Sequence, residues 1–130
     1  MFEKNNIALL GSVAAGFPSP ADDYLESLID LNDLLVTNKP ATFFLKVDGD
    51  SMIGAGIFAG DLLVVDRSLA PSFGRVVVAC LDGEFTVKRL IKQKNRVFLC
   101  AENKKYKPID VTNSESFFVW GVVSSVIHKV

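Results

Sequence analysis

Two short stretches hold residue types that could do covalent chemistry together. The first is "VDGDSMIGAG" at residues 47–56, where Gly49 and Asp50 favour a sharp turn immediately after an apolar run. Such a turn presents Ser51 beside backbone N–H groups, preorganised donors for the charge that develops on an attacked carbonyl. A serine nucleophile also needs a base. His128 is the only histidine and stands near the chain end on a strand-like run, which suits a structural role better than a Ser-His-Asp triad.

The remaining candidate base is Lys88, in "EFTVKRL" at 84–90. Strict alternation places Thr86, Lys88 and Leu90 on one face of a strand and Phe85, Val87 and Arg89 on the other. Lys88 therefore shares its face with an apolar residue. To act as a base near neutrality it must fall from about 10.4 to near 7, a change of roughly 4 kcal/mol that only burial in the folded chain could supply. Spacing alone leaves open a plain turn serine and a lysine that keeps its head in water.

A third stretch, "GSVAAGFPSP" at 11–20, is open to reading as a linker, a secretion signal or a segment the protein acts on. Val13, Ala14, Ala15 and Gly16 are small enough for an extended chain to lie close to a serine, and Pro18 stiffens the chain just beyond them. Either an arm folded back on its own domain or one donated by a dimer mate would satisfy the reach to Ser51.

From residue 41 onward the pattern that must position Ser51 and Lys88 is of β type. "TFFLKV" (42–47), "DLLVVD" (61–66), "RVVVACL" (75–81), "EFTVKRL" (84–90), "RVFLCA" (96–101) and "FFVWGVVSSVIHKV" (117–130) read as strands. Asp82-Gly83 joins the third and fourth of these as a two-residue hairpin. Ahead of them, "SPADDYLESLIDLNDLL" offers Ser19 as an N-cap, Pro20 at the first helical position and Leu25, Leu28 and Ile29 at helical spacing, which predicts a short helix or two.

The composition narrows the function class. A chain of 130 residues that is 49% hydrophobic and 22% charged builds one core without staples. Cys80 and Cys100 sit in apolar strand-like runs, as buried reduced thiols, and a cytoplasmic setting is expected. One histidine and no Cys-x-x-Cys leave no metal-site spacing, and neither metal nor cofactor is expected. No apolar run is long enough to span a membrane. The net charge of −1 argues against a dedicated nucleic-acid binder, although acidic residues gather at 20–50 and basic ones at 88–107.

Taken jointly, "AGFPSPADDYLESLIDLNDLL", "GDSMIGAGIFAGDLLVVDRSL", "EFTVKRL" and "WGVV" resemble the LexA/UmuD family of self-cleaving serine proteases across nearly the whole chain. The resemblance implies a mostly β catalytic domain of antiparallel sheets with a short N-terminal arm and a short helix. It implies Ser51 as nucleophile, Lys88 as general base, Asp50 and Ser51 N–H as the oxyanion hole, and the Ala15–Gly16 bond as the cleavage site. Residues 1–15 would be a regulatory arm lost on cleavage, 16–40 a post-cleavage segment with the short helix, and 41–130 the Ser-Lys peptidase domain. The partners it implies are a second copy in a homodimer, the RecA filament on single-stranded DNA that stimulates cleavage, and a UmuC-type translesion polymerase in the SOS response. Two departures accompany it: the arm is shorter than the family's polymerase subunits carry, and "VAAG" is closer to the repressor branch while "GFPSP" is closer to the polymerase-subunit branch.

Three rival readings exist. A LexA-like repressor needs a helical DNA reader of about sixty residues ahead of the cleavage site, where this sequence has residues 1–15, so direct sequence-specific DNA binding is not expected. A secretory signal ending at "VAA" is opposed by Glu3, which cancels Lys4, and by an apolar core of only "IALL" before Gly11. A non-enzymatic β interaction domain is opposed by the presence of both Ser51 and Lys88.

Overall fold

The computed structural model describes residues 5–21 and 25–130, and the chain divides into two units, Met1–Thr37 and Asn38–Val130. The second unit is one seven-stranded sheet with every pairing antiparallel. Its strands are β3 (Thr42–Lys46), β4 (Leu62–Asp66), β5 (Val76–Leu81), β6 (Glu84–Gln93), β7 (Arg96–Cys100), β8 (Ile109–Asp110) and β9 (Phe117–Ile127). Their order across the sheet is β3-β4-β9-β5-β6-β7-β8. The six runs read as strands all form strands, and the mostly β architecture is as expected.

The central strands explain why their sequences are continuous apolar runs rather than clean alternations. β5 and β9 are covered on both sides, so neighbouring residues feed different clusters. Val78 and Val123 join Val47, Met52, Ile57, Leu63 and Val65 in one buried group. Val77 and Val122 join Ala79, Leu90, Leu99 and Val111 in the other. The β5–β6 hairpin closes through Asp82 and Gly83, both at positive φ (52° and 79°), with Leu81 opposite Glu84. A left-handed pair is what the right-handed twist of two strands requires of a two-residue turn.

The first unit differs from its sequence reading. Helical spacing predicts a helix starting at Ser19 and Pro20 and carrying Leu25, Leu28 and Ile29. Residues 19–21 are instead irregular, residues 22–24 of the expected helix lie outside the described residues, and Ser27–Asp30 is a strand. That strand, β2, pairs antiparallel with β1 (Asn6–Leu9), setting Ile7 opposite Ile29 and Ala8 opposite Leu28. The helix shrinks to α1, Leu31–Leu35, with Asp30 as its N-cap accepting from Asn32 N–H at 2.9 Å. Cross-strand pairing with β1 wins here over helical spacing, a tie that four residues cannot break locally. One further correction is minor: Cys80 is buried, but Cys100 is only partly so, and both are free thiols.

Candidate active site

Gly49, at φ 91°, makes the turn that ends the stretch after β3, and Met52, almost fully buried, anchors its far side in the core. Ser51 stands between them. Across from it, β6 sets Lys88 opposite Val77 and Thr86 opposite Ala79 on β5, both partners being buried. Lys88 Nζ lies 3.0 Å from Ser51 Oγ. It also donates to Thr86 Oγ1 at 2.8 Å and to the Val87 carbonyl at 3.2 Å.

The electrostatic setting of this pair is simple. Burial pushes the Lys88 ammonium below its ordinary range, because removing water disfavours the charged form. A lysine lowered in this way and held against a serine hydroxyl can take its proton. Thr86 and the Val87 carbonyl hold the other sides of Nζ, which fixes its direction. Sequence reasoning gives Thr86 no role of its own, although its place two residues before Lys88 on the same face is visible there.

Ser51 and Lys88 open into a cleft of about 210 Å³ whose walls include Leu45, Val47, Leu63, Val78, Phe85 and Thr86. Asp50, one of the two residues whose N–H groups are candidates for the oxyanion hole, has its carboxylate tied to Tyr106 Oη (2.5 Å) and Lys105 Nζ (3.2 Å). Those two partners, the tyrosine hydroxyl foremost, hold its carboxyl below the usual range. His128 does not take part: its Nδ1 meets the buried Asp61 carboxylate at 2.5 Å and its ring packs on Phe58.

Ala15 and Gly16 lie in the other unit, in the connection between β1 and β2, where residues 10–21 are all exposed. Val13 and Phe17, on either side of the bond, are 92% and 93% exposed. Among the described residues no group of three or more His, Cys, Asp or Glu side chains gathers where a metal ion could be held.

Comparison with known proteins decides the family: the description Peptidase S24-like matches residues 8–124. The chain belongs to the Peptidase S24-like family. Protein MucA of Escherichia coli is 47% identical over 125 residues, 93% of this chain and 84% of that protein. Protein ImpA of Salmonella typhimurium is 44% identical over 116 residues, 88% of this chain and 78% of that protein. The LexA repressor of Bordetella parapertussis is 41% identical over 122 residues, 94% of this chain but only 56% of the repressor. These similarities bear out the LexA/UmuD resemblance carried by the motifs. In an S24-like peptidase the matched region therefore takes in both the Ser51 turn and the Ala15–Gly16 connection.

Proposed function

We propose that the chain is a self-cleaving serine peptidase in which Ser51 and Lys88 cut the Ala15–Gly16 bond, releasing residues 1–15 from a mature protein of residues 16–130. The observation that carries this reading is the 3.0 Å approach of Lys88 Nζ to Ser51 Oγ at a site where burial favours the neutral amine. Neutral Lys88 accepts the Ser51 proton as Oγ attacks the Ala15 carbonyl carbon. The N–H groups of Asp50 and Ser51 receive the resulting oxyanion. Collapse of the tetrahedral intermediate breaks the bond to Gly16, whose amine leaves with the proton returned by Lys88. Water, deprotonated by the same lysine, then hydrolyses the Ser51 ester of Ala15. The aliphatic walls of the cleft suit the small side chain of Ala15, and Gly16 leaves the far side of the bond unobstructed.

Family resemblance extends the reading. The mature protein acts in SOS mutagenesis as a dimeric accessory subunit of an error-prone translesion polymerase of the UmuC type, and the RecA filament on single-stranded DNA promotes its formation in the cytoplasm. Among the described residues no helix is long and apolar enough to cross a membrane.

The test is fragment mass after incubation of the purified chain at raised pH, with and without activated RecA filament. The wild type should yield a product beginning at Gly16, whereas Ser51→Ala and Lys88→Ala should yield none, with rates at least about a thousandfold lower. Cleavage persisting in Ser51→Ala would remove self-processing by this serine.

A further inference from the structure

The connection between β7 and β8, residues 101–108, is strongly polar, yet its contacts converge on one place, the turn that carries Ser51. Asn103 Nδ2 donates to the Asp50 carbonyl at 2.9 Å. Glu102 N–H donates to the Ser51 carbonyl at 2.9 Å, and the Glu102 carbonyl accepts from Gly54 N–H at 2.8 Å. Tyr106 and Lys105 hold the Asp50 carboxylate. The same loop is tied back to the lysine strand, because Arg89, the neighbour of Lys88 on the opposite face, pairs with Glu102 at 2.6 Å and donates to the Gly74 carbonyl.

We infer that this loop is a positioning clamp for the oxyanion turn, with Asn103 as the residue that aims the Ser51 N–H. The inference rests on the reading of Ser51 as nucleophile. Its geometry follows from the peptide unit. Among the described residues there are no cis bonds, so the N–H of Ser51 points opposite to the Asp50 carbonyl of the same planar unit. Fixing that carbonyl on Asn103 directs the N–H away from the loop. Among the described residues that N–H has no protein acceptor, which leaves it free for an oxyanion.

The orientation of Asn103 is itself determined. Its Oδ1 accepts from Lys105 N–H at 3.1 Å, so the amide nitrogen is the end that faces Asp50. A flipped amide would set two acceptors against each other. Tyr106 acts on charge as well as position. A carboxylate on the residue that supplies one oxyanion donor opposes the developing negative charge, and the tyrosine hydroxyl holds that carboxylate to one side. Lys105 contributes least, since an exposed ion pair of this kind is worth little in water.

The experiment uses the full chain and follows self-cleavage as a function of pH in Asn103→Ala, Tyr106→Phe and Ser51→Ala. Losing an oxyanion donor outright costs about a hundredfold or more, so a donor left in place but no longer aimed should cost about tenfold to a hundredfold. The expected result for Asn103→Ala is a plateau rate reduced by that factor with the midpoint of the pH profile unmoved, because Lys88 is untouched. Tyr106→Phe should lose about threefold, again at constant midpoint, and Asp50→Asn added to it should restore most of the rate. A wild-type plateau in Asn103→Ala would overturn the clamp, as would a fall accompanied by a rise of the midpoint, the mark of loosened packing around Lys88. If Asn103→Ala does not fold, Tyr106→Phe decides alone, and a wild-type rate there overturns it. Cleavage in Ser51→Ala would instead sink the underlying reading, so the two failures are distinct.

Discussion

The two units of the chain are built to opposite standards. In Asn38–Val130 seven strands enclose two buried clusters, and the Ser51 turn is gripped from two directions, by Lys88 on β6 and by the β7–β8 loop. In Met1–Thr37 a two-stranded ribbon of four-residue strands carries the candidate cleavage site, and none of its described apolar side chains is fully buried. A lone two-stranded ribbon is marginal in water. The difference fits the roles proposed for each unit. A nucleophile, a base and an oxyanion site lose their effect if they move by an ångström, so rigid packing is useful there. On the proposed role, a bond delivered into a cleft gains from a connection whose residues 10–21 are all exposed.

The largest effect that could break this contrast is a pair of truncations. Leu99 is fully buried in the sheet unit, and Leu99→Ala should cost about 2–5 kcal/mol by lost burial and a residual cavity. Ile7, 61% exposed on the ribbon, should cost within about 0.5 kcal/mol as Ile7→Ala. Denaturant unfolding of both variants checks this. Comparable losses would mean that the ribbon is an integral part of the cooperative fold.

A smaller effect tests how tightly the nucleophile turn is held. A Cβ on Gly54 would sit 2.6 Å from the Glu102 carbonyl oxygen, the acceptor of Gly54 N–H. That oxygen is backbone and cannot swing aside. Gly54→Ala should therefore cost about 1–3 kcal/mol of stability by overpacking and slow self-cleavage as the loop is pushed from the turn. Unfolding curves and fragment masses on the same sample read both. Unchanged cleavage with a clear loss of stability would show that the turn keeps its shape without the loop.

The two units also differ in how much of them could be read from sequence. β4, β5 and β9 announce themselves because each carries an apolar run bounded by turn residues, β6 announces itself by alternation, and Asp82-Gly83 specifies its own hairpin. Ser51 and Lys88 could be named because a turn serine and an alternating lysine are local patterns. The β1–β2 pairing was not legible: "SLID" fits helical and strand periodicities equally, and the choice is made by "NIAL" about twenty residues earlier. The clamp was hidden for the same reason. Asn103 and Tyr106 look like ordinary loop polarity until the sheet brings them to Asp50, more than fifty residues away.

The smallest predicted effect concerns Lys88, which makes the rigid unit less stable than its packing would allow. Burial lowers its folded pKa below the ordinary 10.5, so between the lowered value and 10.5 the unfolded chain binds more protons than the folded one. Stability must then rise with pH across that window, with the full penalty present below it and none above 10.5. Replacing the ammonium by an apolar side chain of similar length removes the penalty. Lys88→Met should be more stable than the wild type at pH 7, by less than about 1 kcal/mol since solvent still screens a half-buried ammonium. The gain should shrink as pH rises and vanish above about 10.5. Chemical denaturation of both proteins across that range measures it, with Ser51→Ala as the common background so that cleavage does not intervene. A gain independent of pH would assign the stabilisation to packing alone and leave the lysine at its ordinary pKa. In that case burial would do nothing to ready Lys88 as a base, and the cleavage rate would have to climb with pH up to the ordinary lysine range.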